Sequence, residues 1–179
     1  MPGYTIHLAV AKRYIEKHKN KIINEEEFYK GTVRPDLNKD YTGICEEKEK
    51  THYGVMGNKN DGSFDCHIDE FLSEKDTDLN NDFYKGYLLH LLTDYYFYTK
   101  YFNKELLELI HNNDKFYYDY DCINKELEDR YNIEYIANTK KFTNYTNGEP
   151  KYLKLDKMIN FIEDFSDIDL DQEIEKWRV

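Results

Sequence analysis

The stretch Asp82-Phe-Tyr-Lys-Gly-Tyr-Leu-Leu-His90-Leu-Leu-Thr-Asp94-Tyr-Tyr-Phe-Tyr-Thr-Lys-Tyr101 decides the fold class. At about 100° per residue Phe83, Tyr87, Leu91, Tyr98 and Tyr101 fall on one side of a helical wheel. Asn80 or Asn81 supplies the oxygen that caps such a helix. His90 and Asp94 fall near the middle of the same face, stacked one turn apart. A carboxylate on a core-directed stripe must be paired, neutralised or bound to a cation. An ordinary core hydrogen bond between the two side chains meets that need, and so does a shared metal ion; HxxxD alone does not choose between them.

Outward from this segment the apolar residues keep helical spacing. A first helix starts near Thr5 and runs through Leu8, Val10, Ala11, Tyr14 and Ile15, with lysines 17 to 21 at its end suiting the helix C-terminus. A short helix covers Glu25 to about Gly31, and Pro35 then disfavours helix at Arg34, which puts Asp36 on a turn or loop. Further helices are expected at Lys104 to His111, Tyr117 to Tyr131, Leu155 to Phe165 and Leu170 to Trp177. Polar stretches lie at Asn38 to Asp65 and Thr143 to Pro150, and no repeat of fixed period occurs. The expectation is an all-α, multi-helix single domain over 1–179.

Composition agrees. Forty per cent apolar and 16% aromatic residues in 179 suffice for a real core. With 18 tyrosines that core must carry phenolic hydroxyls in need of partners. A net charge of -11 gives no support for a nucleic-acid or anionic-membrane partner. No apolar run reaches bilayer length, and the N-terminus shows no secretory pattern, so the chain reads as cytoplasmic. Cys45, Cys66 and Cys122 form no CxxC pair, so a bound metal would take His and carboxylate ligands.

Three further signals have unusual local settings: Tyr4-Thr-Ile-His7, Gly31-Thr-Val-Arg-Pro-Asp36-Leu and Lys50-Thr-His52-Tyr-Gly54. Together with Gly86-Tyr-Leu-Leu-His90-Leu-Leu-Thr-Asp94 they resemble the zinc-dependent bacterial phospholipase C family, which shares its helical fold with fungal zinc nucleases. The order His, Asp, His, HxxxD is retained up to Tyr101 and fades beyond it. The resemblance implies one metal site from Asp36, His52, His90 and Asp94, with His7 holding a neighbouring ion that Asp94 bridges. The family's third ion needs a later His and an HxxxE pair. Here position 100 is Lys100, and His111 is followed four residues on by Lys115. Asp119, at the edge of the Phe116, Ile123, Leu127 face, is the candidate replacement ligand; Asp121 is rotated away from it.

Arg34, beside Pro35 and Asp36, suits an anionic substrate because guanidinium pairs with phosphate oxygens, although a salt bridge would occupy it equally well. His18 and His67 read as surface histidines, and the run Tyr95 to Tyr98 as core. The implied function is metal-dependent hydrolysis of phosphoester bonds, a phosphodiesterase or phospholipase C-like hydrolase. Metal-activated water would be the nucleophile and Asp36 the catalytic carboxylate that orients it. The alternative is a non-catalytic protein that uses the same metal for folding or for a partner. The cofactor expected is Zn2+, one or two ions, with Fe or Mn compatible with the same ligands. The substrate would be a small phosphoester or a phospholipid.

Overall fold

The computed structural model describes residues 3–37, 46–55, 65–101 and 114–178. The protein is all-helical, with eight α-helices among these residues. They are α1 Tyr4–Lys17, α2 Glu25–Val33, α3 Lys48–Thr51, α4 Ile68–Lys75, α5 Asp82–Tyr96, α6 Asp114–Tyr131, α7 Leu155–Phe165 and α8 Leu170–Trp177. A 3-10 turn, Arg34–Asp36, continues α2, and a π-helical turn, Phe97–Tyr101, continues α5. The expected helix at Lys104 to His111 lies outside the described residues, as does Cys45. No helix among the described residues is long and apolar enough to cross a membrane. Cys66 and Cys122 are free thiols.

Helix starts follow local chemistry. The Asn24 side chain accepts the Glu27 amide at 3.2 Å to cap α2, whose first turn holds Glu25, Glu26 and Glu27. Asn81 accepts the Phe83 amide at 2.9 Å to cap α5. Three acids at the amino end of α2 also complement its dipole. Asp82 then ties α5 to the α1–α2 connection. Its carboxylate accepts the amides of Ile23 and Asn24 at 2.8 and 2.7 Å and pairs with Lys85 at 2.8 Å.

The middle of α5 departs from a one-faced amphipathic helix. Leu88, Leu89, Leu91 and Leu92 are buried together with His90 and Asp94, so α5 has no solvent face there and is the central helix of the fold. Helix α2 packs along it most extensively, and α1 lies against α2, α6 and α7. Two glycines set the α2–α5 approach. A Cβ on Gly31 would sit 1.8 Å from the Phe83 carbonyl oxygen, and a Cβ on Gly86 would sit 2.0 Å from that of Phe28. The two backbones therefore touch, which only glycine permits at both positions. Past α5, Tyr96, Phe97 and Tyr98 are buried, with Phe97 edge-on to Phe161 at 5.3 Å, so this aromatic run is core.

Candidate metal centre

His7 enters from the second turn's edge of α1, Asp36 from the end of the 3-10 turn, His52 from the residue capping α3, and His90 and Asp94 from α5. These five side chains, named from sequence, come together in one cluster. His7, His52, His90 and Asp94 are each at most 1% exposed, and the Asp36 side chain 6%. His90 Nε2 lies 3.2 Å from Asp94 Oδ2, and His52 Nε2 lies 3.8 Å from that oxygen and 3.4 Å from Asp36 Oδ1. His7 Nε2 lies 3.5 Å from Asp94 Oδ1 and 4.0 Å from Asp36 Oδ2. Each carboxylate thus turns one oxygen toward His7 and the other toward His52, and Asp94 also faces His90.

The tautomers of two of the imidazoles follow from their outer partners. His90 Nδ1 is 2.7 Å from the Thr32 carbonyl and His52 Nδ1 is 2.8 Å from the Lys48 carbonyl. A carbonyl only accepts, so both Nδ1 atoms carry the proton, and in the neutral rings both Nε2 lone pairs point inward. The two Nε2 atoms are 3.3 Å apart. Two buried carboxylates facing these nitrogens need a balancing positive charge, which a bound cation or a proton on an imidazole supplies. Such outer hydrogen bonds are how proteins orient metal-ligating histidines. The Thr32 bond is available because α2 ends one residue later, which leaves that carbonyl without an intrahelical donor, and because the Gly31–Gly86 contact brings α2 close enough.

The cluster fits a cation by two tests. His7 Nδ1 and Nε2, both Asp94 oxygens and Asp36 Oδ1 are buried without a hydrogen-bond partner of good geometry, a concentration of unsatisfied groups that native interiors avoid. Two ligand atoms each about 2.1 Å from a tetrahedral ion lie about 3.4 Å apart, and the separations above bracket that value. Two sets meet the spacing needed to hold an ion, His7 with His90 and Asp94, and Asp36 with His52 and His90. The His7 ring stacks face to face on His90 at 3.8 Å, which keeps both edges aligned toward Asp94.

Electrostatics points the same way. Burial by itself would push the Asp94 carboxyl up, but the imidazoles of His90 and His7 beside it outweigh this and hold the group well below the ordinary carboxylate range. Asp36 behaves alike: burial opposes ionisation, and the His52 contact, the Lys48 ammonium and the nearby His90 overcome it. Around them the buried phenols of Tyr98 and Tyr120 are pushed far up, first by burial and then by neighbours that include the Asp94 carboxylate.

Two expectations require correction. Asp119 is no ligand: it is fully buried, and its oxygens accept the amides of Lys151, Tyr152 and Leu153 at 2.8, 2.6 and 2.9 Å, so both are committed to a backbone clamp. Arg34 is not beside the cluster's own cavity: its guanidinium is buried and paired with Glu46 at the wall of a separate cavity. His67 and His18 are both half-buried, His67 pairing with Asp65 at 3.0 Å and His18 stacking on Tyr14 at 4.3 Å. Sequence reasoning missed Lys48, whose carbonyl anchors His52 and whose Nζ sits 3.0 Å from Asp36 Oδ1. Its position four residues before His52, one helical turn, was the available signal.

A cavity of about 270 Å³ opens against Asp36 and Lys48, between the start of α1, the first half of α6 and residues 142–144. Comparison with protein-family models, with curated proteins and with solved structures finds no match to this chain.

Proposed function

We propose that the protein binds one or two divalent ions, zinc first among them, in the His7, Asp36, His52, His90, Asp94 cluster and hydrolyses phosphoester bonds, as its resemblance to zinc-dependent phospholipases C implies. The observation that carries this reading is the shared ligand set with Asp36 standing at the wall of a solvent cavity. A structural ion needs no such edge, whereas hydrolysis needs a position that water and substrate can reach. When bound, the metal would supply Lewis-acid activation of water and of a phosphoryl oxygen.

The protein's own groups have separable roles in this reading. His52 and His90 present fixed Nε2 lone pairs, held by the Lys48 and Thr32 carbonyls. Asp94, with one oxygen toward His7 and one toward His90, suits a bridging position. Asp36 lines the cavity and is the carboxylate that would orient the attacking water. Zinc is preferred because imidazole and carboxylate suit it; iron and manganese accept the same donors.

The near-complete burial of four of the five ligands favours the alternative, an ion retained for folding. The two readings separate in one experiment. Protein purified without an affinity tag is analysed for metal, then assayed with p-nitrophenyl phosphate and bis(p-nitrophenyl) phosphate before and after chelation. Stoichiometric metal with chelator-sensitive turnover supports the hydrolase. Stoichiometric metal and a large fall in melting temperature on chelation, with no turnover, supports the structural ion. Metal-free protein of unchanged stability removes both.

A further inference from the structure

We propose that the cavity against Asp36 is a binding site for small phosphoesters whose alcohol moiety carries a hydrogen-bond donor, with Lys48 taking the phosphate and Asn124 the donor. The inference rests on the phosphoester reading and narrows it to a substrate class.

Among the described residues, the charged groups lining the cavity are the carboxylates Asp36 and Asp121 and one ammonium, Lys48. An anion entering there is repelled unless Lys48 turns to it. The Lys48 backbone is fixed, because its carbonyl accepts from His52 Nδ1 at 2.8 Å and from the Thr51 hydroxyl at 3.0 Å. Its side chain is free by comparison: 53% exposed, it meets Asp36 Oδ1 at 3.0 Å, yet that oxygen has no hydrogen bond of good geometry. An exposed ammonium on an anchored stem, beside the proposed reacting carboxylate, can exchange Asp36 for a phosphate oxygen, a charge-assisted contact stronger than neutral ones.

Asn124 supplies an independent observation. It lines the same cavity at 5% exposure, and its Nδ2 donates to the Asn144 carbonyl at 3.0 Å. That carbonyl can only accept, so the amide cannot be flipped, and Oδ1 is left a buried acceptor with no partner. A buried acceptor of this kind favours a ligand that brings a donor and discriminates against one that lacks it. The rings of Tyr117 and of Phe142, the latter stacked on Tyr4 at 5.8 Å, flank the opening and suit the carbon skeleton between the two polar ends. A volume of about 270 Å³ admits a phosphorylated alcohol of a few carbons or one lipid headgroup, with no room for an acyl chain.

The test is calorimetric titration of zinc-loaded protein with glycerol 3-phosphate and with ethyl phosphate, which match in charge and differ in hydroxyls. Glycerol 3-phosphate is expected to bind about tenfold more tightly. Lys48→Met, compared at equal zinc content per molecule, should weaken both esters by about tenfold. Asn124→Leu should abolish the preference; should that variant fail to fold, the wild-type preference alone decides. Competition by phosphatidylglycerol vesicles identifies a headgroup as the source of the ester, and lack of competition identifies a free one. Equal affinity for the two esters, no binding of either, or full affinity in Lys48→Met overturns the inference. Selective binding without turnover of any ester leaves the inference standing and removes the hydrolase reading, whereas turnover without selectivity does the reverse.

Discussion

Gly86→Ala tests whether the α2–α5 backbone contact builds the centre. The added Cβ would lie 2.0 Å from the Phe28 carbonyl oxygen, 2.9 Å from its carbon and 3.0 Å from the Thr32 amide nitrogen, all backbone atoms, whereas ordinary contact begins at 3.4 Å. No side-chain rotamer relieves this, so the helices must separate by more than an ångström at the crossing. Overpacking of this kind costs about 1–3 kcal/mol, and the upper end applies because backbone must move. Stretching the 2.7 Å bond from His90 to the Thr32 carbonyl removes about 1 kcal/mol more. Alanine's better helix propensity returns about 1 kcal/mol, leaving a net loss of about 3 kcal/mol. For a chain of this size that is a fall in melting temperature of about 6–12 °C. Because the Thr32 carbonyl orients a ligand, zinc affinity measured by chelator competition should fall about tenfold or more. Gly3→Ala is the control, since its Cβ meets nothing within 4 Å. A Gly86→Ala protein that melts at or above the wild-type temperature would refute the argument, because propensity alone would then have decided the outcome.

Three other outcomes are expected. His90→Ala and Asp94→Ala should each lower bound metal and melting temperature while His67→Ala, outside the cluster, does neither; metal retained by the double variant would make the pair an ordinary core hydrogen bond. Asp119→Ala should destabilise by about 3 kcal/mol, because three backbone amides lose a charged acceptor, yet leave metal per folded molecule unchanged. Metal lost in proportion to ligand variants would contradict that. Asp82 carries a pH signature: burial opposes its ionisation, but Lys85 and the amides of Asn24 and Ile23 hold its carboxyl below the ordinary value. Its contribution is therefore present above the unfolded value of about 3.9 and lost as pH falls through the lower folded value. Asp82→Asn should flatten the acid limb of the stability curve, and identical limbs in the two proteins would show that the carboxylate contributes nothing there.

The helices were legible where periodicity and caps agree. α7 and α8 span the expected ranges, Asn81 caps α5, and the i, i+4 spacing of His90 and Asp94 placed both on one line of the central helix. His7, Asp36 and His52 were legible through motif resemblance alone, since nothing in local spacing brings α1, a 3-10 turn and the end of α3 to α5. What escaped was tertiary in origin. Gly31 and Gly86 look like weak points of two helices until their backbones are seen in contact. Asp119 reads as solvated or ligating because its three donors lie more than thirty residues away on a segment without periodicity. The acid that meets Arg34 was one among 36 in the chain, and sequence offers no means of selecting Glu46.

The stacking of His7 on His90 joins the first helix to the central one at the point where four stretches of chain converge. An unfolded chain that gathered the same donors around an ion would have to close several loops at once, each with its own entropy cost. Affinity for any ion held there would consequently be a property of the packed helices, with the ion acting as a latch on them. The folded protein would release such an ion only by loosening the α1–α5 contact. The rate of metal exchange would therefore report how often that contact opens.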